Sequence, residues 1–124
     1  MRRRVLLVED DDELRRLFRV ALTLAQFEVF EARSGFEALR QLDAHPPDIV
    51  VLDLLLPGLD GYAVRHELEA HAHLRSIPVV VVTGHPPPLS NQLNVHCLLT
   101  KPISPAQLVT AVQQCLASGS PTAT

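Results

Sequence analysis

The sequence predicts a doubly wound α/β fold, in which a five-stranded parallel sheet is covered by helices on both faces. Short aliphatic runs alternate with longer segments whose apolar residues recur at helical spacing, and this alternation repeats about five times. The third run, Ile49 to Leu52, is apolar at every position, as expected of a strand buried on both faces. Strand-helix-strand connections of this kind place successive strands parallel with right-handed crossovers.

Composition indicates one soluble domain. Of the 124 residues, 47% are hydrophobic, which is enough for a substantial core. The net charge of -3 gives no general attraction to nucleic acid or anionic membrane. No apolar run approaches the roughly 20 residues that span a bilayer. We therefore expect a cytoplasmic protein with no membrane anchor and no direct contact with nucleic acid.

The first half of the chain is predicted to form a strand, an acidic loop, a helix, a strand and a second helix. Val5 to Val8 is a short aliphatic strand, and the helix after the loop carries apolar residues from Leu14 to Ala25. Glu28 to Ala32 is the second strand candidate. Ser34 begins the capping-box pattern Ser-Gly-Phe-Glu, which predicts a helix extending to about His45, where two prolines stop it.

Three more strands and two helices are predicted in the second half. A Pro-Gly break follows the third strand, and Asp60 can then cap a helix that extends to about Ala70. Ser104 begins a second capping pattern, Ser-Pro-Ala-Gln, which leads into a final helix reaching Leu116. The predicted strands are Ile49 to Leu52, Val79 to Val82 after Pro78, and a weaker fifth strand from Cys97 to Leu99.

Polar side chains collect where these strands end. Ligands of open parallel sheets bind beyond the carboxyl ends of the strands, because loops and helix N-termini meet there. Taken singly, a strand-end Asp is more often a helix cap or a solvated turn, but the joint appearance of such residues on four strands favours a site. The residues are Glu9 and Asp10, Asp53, Thr83, and Lys101, which is the only lysine of the chain.

Three neighbouring carboxylates repel one another unless they share a cation. Oxygen ligands alone suit Mg²⁺ or Mn²⁺ far better than zinc. Beside such a cation, Asp53 can attack phosphorus as a nucleophile and form an acyl phosphate. Thr83 and Lys101 are placed to hold phosphoryl oxygens, and a compact ammonium suits such a point contact.

Four segments resemble the receiver domains of bacterial two-component response regulators. VLLVEDD is similar to the acidic-pair strand of the family, VVLDLLLPGLDG to the phospho-acceptor segment, VVVVTG to the hydroxyl strand and LLTKP to the lysine strand. The similarity extends from about Val5 to Leu116 and keeps the family order. It implies a CheY-like (flavodoxin-like) sheet of order 2-1-3-4-5 and a receiver domain over residues 1–117. Residues 118–124, SGSPTAT, are expected from their composition to form a flexible tail or linker stub.

The resemblance also implies a function. Asp53 would accept a phosphoryl group from a phosphohistidine of a histidine kinase or phosphotransfer protein, while Thr83 and Lys101 contact the phosphoryl oxygens. The implied Mg²⁺ ligands are Glu9, Asp10, Asp53 and the backbone carbonyl of Leu55. Phosphorylation would alter a surface that contacts an output domain, a partner protein or a second copy of the chain. Such a domain catalyses its own phosphotransfer and slow hydrolysis and is not a turnover enzyme.

Two features depart from the family pattern. The position three residues before the lysine is usually Tyr or Phe, and here it is Leu98. Three consecutive prolines in the segment after the fourth strand predict that the family's fourth helix is shortened or missing, with at best one turn around Ser90 to Leu93. A receiver-like interaction module that works without phosphorylation therefore stays open as the alternative. An Asp-nucleophile hydrolase is disfavoured, because it would need a second acid where Leu55 stands.

Other candidate sites are discounted. Cys97 and Cys115 are too few for a disulfide framework, so we expect small buried thiols. His66 and His71 are five residues apart, which is off the spacing of a zinc-binding helix, so a solvated helix face is expected. Arg2 to Arg4 are expected to form a solvated entrance to the first strand.

Overall fold

A computed structural model of the chain describes residues 2–53, 61–84 and 97–117. Within these ranges the strands and helices follow one another in the predicted order. The elements are β1 Arg4–Val8, α1 Asp12–Leu24, β2 Glu28–Ala32, α2 Gly35–Ala44, β3 Ile49–Leu52, α3 Gly61–Ala70, β4 Val79–Thr83, β5 Cys97–Thr100 and α4 Pro105–Ala117.

The strands form one parallel sheet in the order β2-β1-β3-β4-β5. This confirms the predicted fold class and strand order. All residues of β3 and β4 are buried, whereas the edge strands β2 and β5 are partly covered. The carboxyl ends of all five strands therefore lie along the same edge of the sheet.

The sheet divides the apolar interior into two clusters, because successive side chains of a strand point to opposite faces. Leu6 belongs to the cluster formed with α2 and α3, and Leu7 belongs to the cluster formed with α1 and α4. Each fully buried Leu or Phe stabilises the fold by about 1.5–3 kcal/mol. The largest fully buried side chains on the helices are Phe18, Leu22, Leu42, Leu68 and Leu108.

Two of the predicted helix caps are present. The Ser34 hydroxyl accepts a hydrogen bond from the Glu37 amide at 3.2 Å. Ser104 and Gln107 form a reciprocal box, in which the Gln107 amide donates to the serine hydroxyl at 3.1 Å and the Ser104 amide donates to the glutamine side chain at 2.7 Å. The predicted cap at Asp60 lies outside the described residues.

The C-terminus of α1 is a Schellman motif. The amide of Phe27 donates to the carbonyl of Leu22 at 3.1 Å, and the amide of Gln26 donates to the carbonyl of Thr23 at 3.0 Å. Gln26 has a φ of 75°, in the left-handed region that favours glycine. Phe27 is buried in the same cluster as Leu22, so the motif turns the chain directly from α1 into β2.

The cysteines, the α3 histidines and the N-terminal arginines were also assigned an exposure from the sequence. Cys115 is buried and Cys97 is half-buried, and neither forms a disulfide. His66 and His71 are exposed on the surface of α3 and of the turn after it, as expected. Arg2 to Arg4 are exposed. No described helix has the length and apolar character needed to cross a membrane.

Two predictions fall on residues that the structure does not describe. The shortened or missing fourth helix of the family concerns residues 85–96, and the tail concerns residues 118–124. Both stay predictions.

Candidate functional site

The site begins with two neighbouring strands in register. Val8, the last residue of β1, pairs with Leu52, the last residue of β3. The next residue on each strand is an acid, Glu9 and Asp53. The Asp53 amide donates to the Val8 carbonyl at 3.2 Å, and the Glu9 amide donates to the Ala32 carbonyl at 3.0 Å, so the ladder carries both acids just past the strand ends.

Three carboxylates converge at this edge. Carboxylate oxygens of Glu9, Asp10 and Asp53 all lie within 4.8 Å of one another. Glu9 is 2% exposed and Asp53 is 5% exposed, whereas Asp10 faces solvent. A group of carboxylate oxygens that is open on one side fits a small hard cation such as Mg²⁺, which keeps part of its water shell.

Lys101 joins two of these carboxylates. Its Nζ donates to Glu9 Oε1 at 2.9 Å and to Asp53 Oδ2 at 3.0 Å. The Lys101 amide donates to the Thr83 carbonyl at 2.9 Å, which continues the ladder between β4 and β5 and directs the chain back toward the site. The Lys101-Pro102 peptide bond is cis. The predicted convergence of the lysine with the acids is therefore present in the structure.

Burial and ion pairing act against each other at this pair. Burial raises the pKa of Glu9 above its usual range, although hydrogen bonds from Lys101 and from the Asp11 amide lower it. Burial lowers the pKa of Lys101, but its hydrogen bonds to Glu9 and Asp53 outweigh this effect and raise the pKa above its ordinary value. Lys101 therefore stays protonated at neutral pH and supplies a positive charge to the acids.

The remaining predicted site residues are Thr83 and Leu55. Thr83 is the last residue of β4, is fully buried, and pairs with Thr100 directly before Lys101. The structure thus places it at the same sheet edge as the acids. Leu55 lies outside the described residues.

Two supporting residues were not singled out from the sequence. The Asp11 amide donates to Glu9 Oε2 at 3.2 Å, and the Asp11 side chain caps α1 through the Leu14 amide at 3.0 Å. Arg15 donates from Nη1 to the backbone carbonyl of Glu9 at 2.9 Å. The sequence offers one indication for Arg15: it lies three residues before Phe18, so this charged residue is on the buried side of α1.

Known proteins are similar to this chain in sequence and in fold. Residues 5–113 match the profile of the response regulator receiver domain. The polar-differentiation response regulator DivK of Brucella ovis is 37% identical over 84 residues, which cover 68% of each chain. The probable transcriptional regulator ycf27 of Cyanidium caldarium is 31% identical over 116 residues, which cover 90% of this chain and 45% of that protein.

Three ycf27 regulators are matched over 45–48% of their length, so this chain spans about half of each. A solved structure, the signal receiver domain of a signal transduction histidine kinase from Syntrophus aciditrophicus, superposes with a TM-score of 0.86 at 29% identity and covers 94% of this chain and 91% of that one. On the strength of this profile match, these identities and the shared fold, the chain belongs to the response regulator receiver domains of two-component systems.

Proposed function

We propose that this receiver domain accepts a phosphoryl group on Asp53 from the phosphohistidine of a histidine kinase or phosphotransfer protein, with Mg²⁺ as cofactor. The observation that carries the proposal is the close approach of the Glu9, Asp10 and Asp53 carboxylates, with the Lys101 ammonium 3.0 Å from Asp53 Oδ2. A structural salt bridge alone would not need a third, exposed carboxylate at the same point.

The transfer breaks the N–P bond of the phosphohistidine and forms an O–P bond to an Asp53 carboxylate oxygen, and the released imidazole takes up a proton. Bound to Glu9, Asp10, Asp53 and the Leu55 carbonyl, Mg²⁺ would supply the charge neutralisation that phosphoryl transfer needs. Because Asp53 is nearly buried at a strand end, its carboxylate is held in place and poorly hydrated. Lys101 would exchange a carboxylate oxygen for a phosphoryl oxygen, and Thr83 would donate its hydroxyl to another.

Formal charges support a divalent partner. Three ionised carboxylates and one ammonium sum to -3 + 1 = -2 at the site. A dication balances this charge, whereas a monovalent ion would leave a net negative charge that opposes the approach of a phosphoryl group. We place the domain in the cytoplasm, where it would pass the signal to an output domain or a partner protein.

The test is intact-mass spectrometry after incubation with acetyl phosphate and Mg²⁺. We expect wild type to gain the mass of one phosphoryl group and Asp53→Asn to gain none. Asp48→Asn, which removes an exposed acid at the other end of β3, is the matched control and should be phosphorylated as wild type is. An unmodified wild type, or an Asp53→Asn variant that is modified equally, would overturn the proposal.

One observation favours a second candidate, a receiver-like interaction module that works without phosphorylation. Leu98 packs against the cluster beneath α2 and α3, at the position where the family usually has an aromatic ring. A switch that depends on rotation of that ring cannot operate with leucine. Partner binding that is equal for wild type and Asp53→Asn, with and without acetyl phosphate, would support this candidate.

A further inference from the structure

Arg15 lies in the first half of α1 and binds three groups with one guanidinium. Nη1 donates to the Glu9 carbonyl at 2.9 Å, Nε donates to Glu31 Oε1 at 3.1 Å and Nη2 donates to Asp12 Oδ1 at 2.6 Å. The side chain is only 12% exposed. A planar guanidinium can serve three acceptors in fixed directions, which a flexible ammonium cannot do.

The carbonyl that Arg15 holds belongs to the peptide unit joining Glu9 to Asp10. Because this unit is planar, fixing its oxygen also fixes the plane from which both acidic residues project. The backbone amide of Glu9 is held as well, since it donates to the Ala32 carbonyl at 3.0 Å. The exposed Asp10 thus follows a residue whose backbone amide and carbonyl are both held by hydrogen bonds.

Glu31, in turn, holds Arg15. It lies in β2, and its carboxylate accepts from Arg15 at Oε1 and from Arg19 Nε at Oε2, 3.3 Å away. The guanidinium of Arg15 is therefore tied to an adjacent strand as well as to its own helix. A chain of contacts runs from β2 through Glu31 and Arg15 to the Glu9 carbonyl.

We propose that Arg15 is a positioning residue that sets the Glu9-Asp10 peptide so that the Glu9, Asp10 and Asp53 carboxylates face one cation. The inference rests on the proposed function, because it concerns the affinity of that site for Mg²⁺. Residues that orient metal ligands typically change metal affinity by about 10- to 100-fold when they are replaced.

The positive charge of the same guanidinium has the opposite effect on affinity. It repels a dication, although its pairing with Asp12 and Glu31 offsets part of this repulsion. Loss of charge alone would therefore tighten Mg²⁺ binding, whereas loss of positioning weakens it. Arg15→Lys keeps the positive charge and loses the planar guanidinium that donates to three acceptors, so it isolates the positioning effect.

The experiment is a Mg²⁺ titration followed by NMR at the Glu9 and Asp10 amides, with the stability of each variant measured in urea. We expect Arg15→Lys and Arg15→Gln to bind Mg²⁺ about tenfold more weakly than wild type. Arg19→Lys and Arg19→Gln are matched controls, since Arg19 also pairs with Glu31, and should stay within about twofold of wild type.

The outcomes separate the two proposals. Wild type that binds no Mg²⁺ overturns both. Wild type that binds, together with an Arg15→Lys variant of equal affinity or an Arg15→Gln variant that binds more tightly, overturns only the positioning role. If the Arg15 variants do not fold, Glu31→Asp decides, because it keeps the negative charge beside the guanidinium and shortens the side chain that anchors Arg15 to β2. Weakened Mg²⁺ binding then supports the role, and unchanged binding overturns it.

Discussion

Replacement of Lys101 by methionine should reveal how strongly the buried acids depend on their ammonium. Methionine keeps most of the length and apolar packing of the lysine stem and removes the charge. The change leaves Glu9 and Asp53, which are 2% and 5% exposed, without the donor that lies 2.9 and 3.0 Å from their oxygens. Two charge-assisted hydrogen bonds are lost at once.

The magnitude follows from this geometry. Removing one partner of a buried ion pair destabilises a protein by about 3–5 kcal/mol. The Lys101 side chain is 23% exposed, so water reaches part of the site, and we expect a loss near the lower end, about 3 kcal/mol. Glu9, whose pKa burial raises, relieves some of this loss by taking up a proton.

The loss should depend on pH. Burial already raises the pKa of Glu9, and removal of Lys101 raises that pKa further, because the lysine contributes two of the effects that lower it. A carboxyl whose folded pKa lies above its unfolded value loses stability as the pH rises through that window. The deficit of Lys101→Met should therefore be larger at about pH 8 than at about pH 5.

The assay is urea unfolding in a buffer that contains a chelator, so that no divalent cation substitutes for the ammonium. Arg75→Met is the matched control, since it removes an exposed positive charge far from the acids in sequence, and we expect a change of less than about 0.5 kcal/mol. Equal stability of Lys101→Met and wild type at about pH 8, or a deficit that grows on acidification, would refute the argument.

Three further predictions concern other parts of the fold. Gln26→Gly should stabilise the protein by about 1 kcal/mol, because glycine adopts the φ of 75° without the strain of a side chain; lower stability in urea would contradict this. Ser104→Ala should cost about 1 kcal/mol, since it removes the hydroxyl that caps α4 through the Gln107 amide, and an unchanged unfolding midpoint would show that the box is not stabilising. Burial raises the pKa of Cys97 and of Cys115, so both thiols should react with iodoacetamide far more slowly than a free thiol at about pH 8, and equal rates would be inconsistent with their burial.

Much of the site was predictable because it depends on topology more than on side-chain detail. Parallel strands end at one edge, so Glu9 and Asp53 on neighbouring strands had to lie close together, and Lys101 had to lie at the same edge, where a long side chain can reach across β4. The two serine caps were equally local, since Ser34 and Ser104 bond to amides only three residues away.

Packing between elements was not predictable in the same way. Leu17 belongs to the apolar pattern of α1 and is nevertheless 51% exposed, because only the part of that pattern that includes Phe18 and Leu22 packs into the core. Arg65 of α3 is 6% exposed, and its Nη2 pairs with Glu69 Oε1 at 3.2 Å. Its buried Nε has no hydrogen-bond partner among the described residues. The three-way contact of Arg15 depends on how α1 lies against β2, which no single-sequence periodicity specifies.

The ammonium of Lys101 gives this chain its own internal counterion. Carboxylates that would otherwise push the strand ends apart are drawn together by a charge that the polypeptide itself provides. The stability of the fold is thereby separated from the supply of ions: without divalent cations the fold would stay assembled, and only the proposed phosphoryl transfer would depend on the metal.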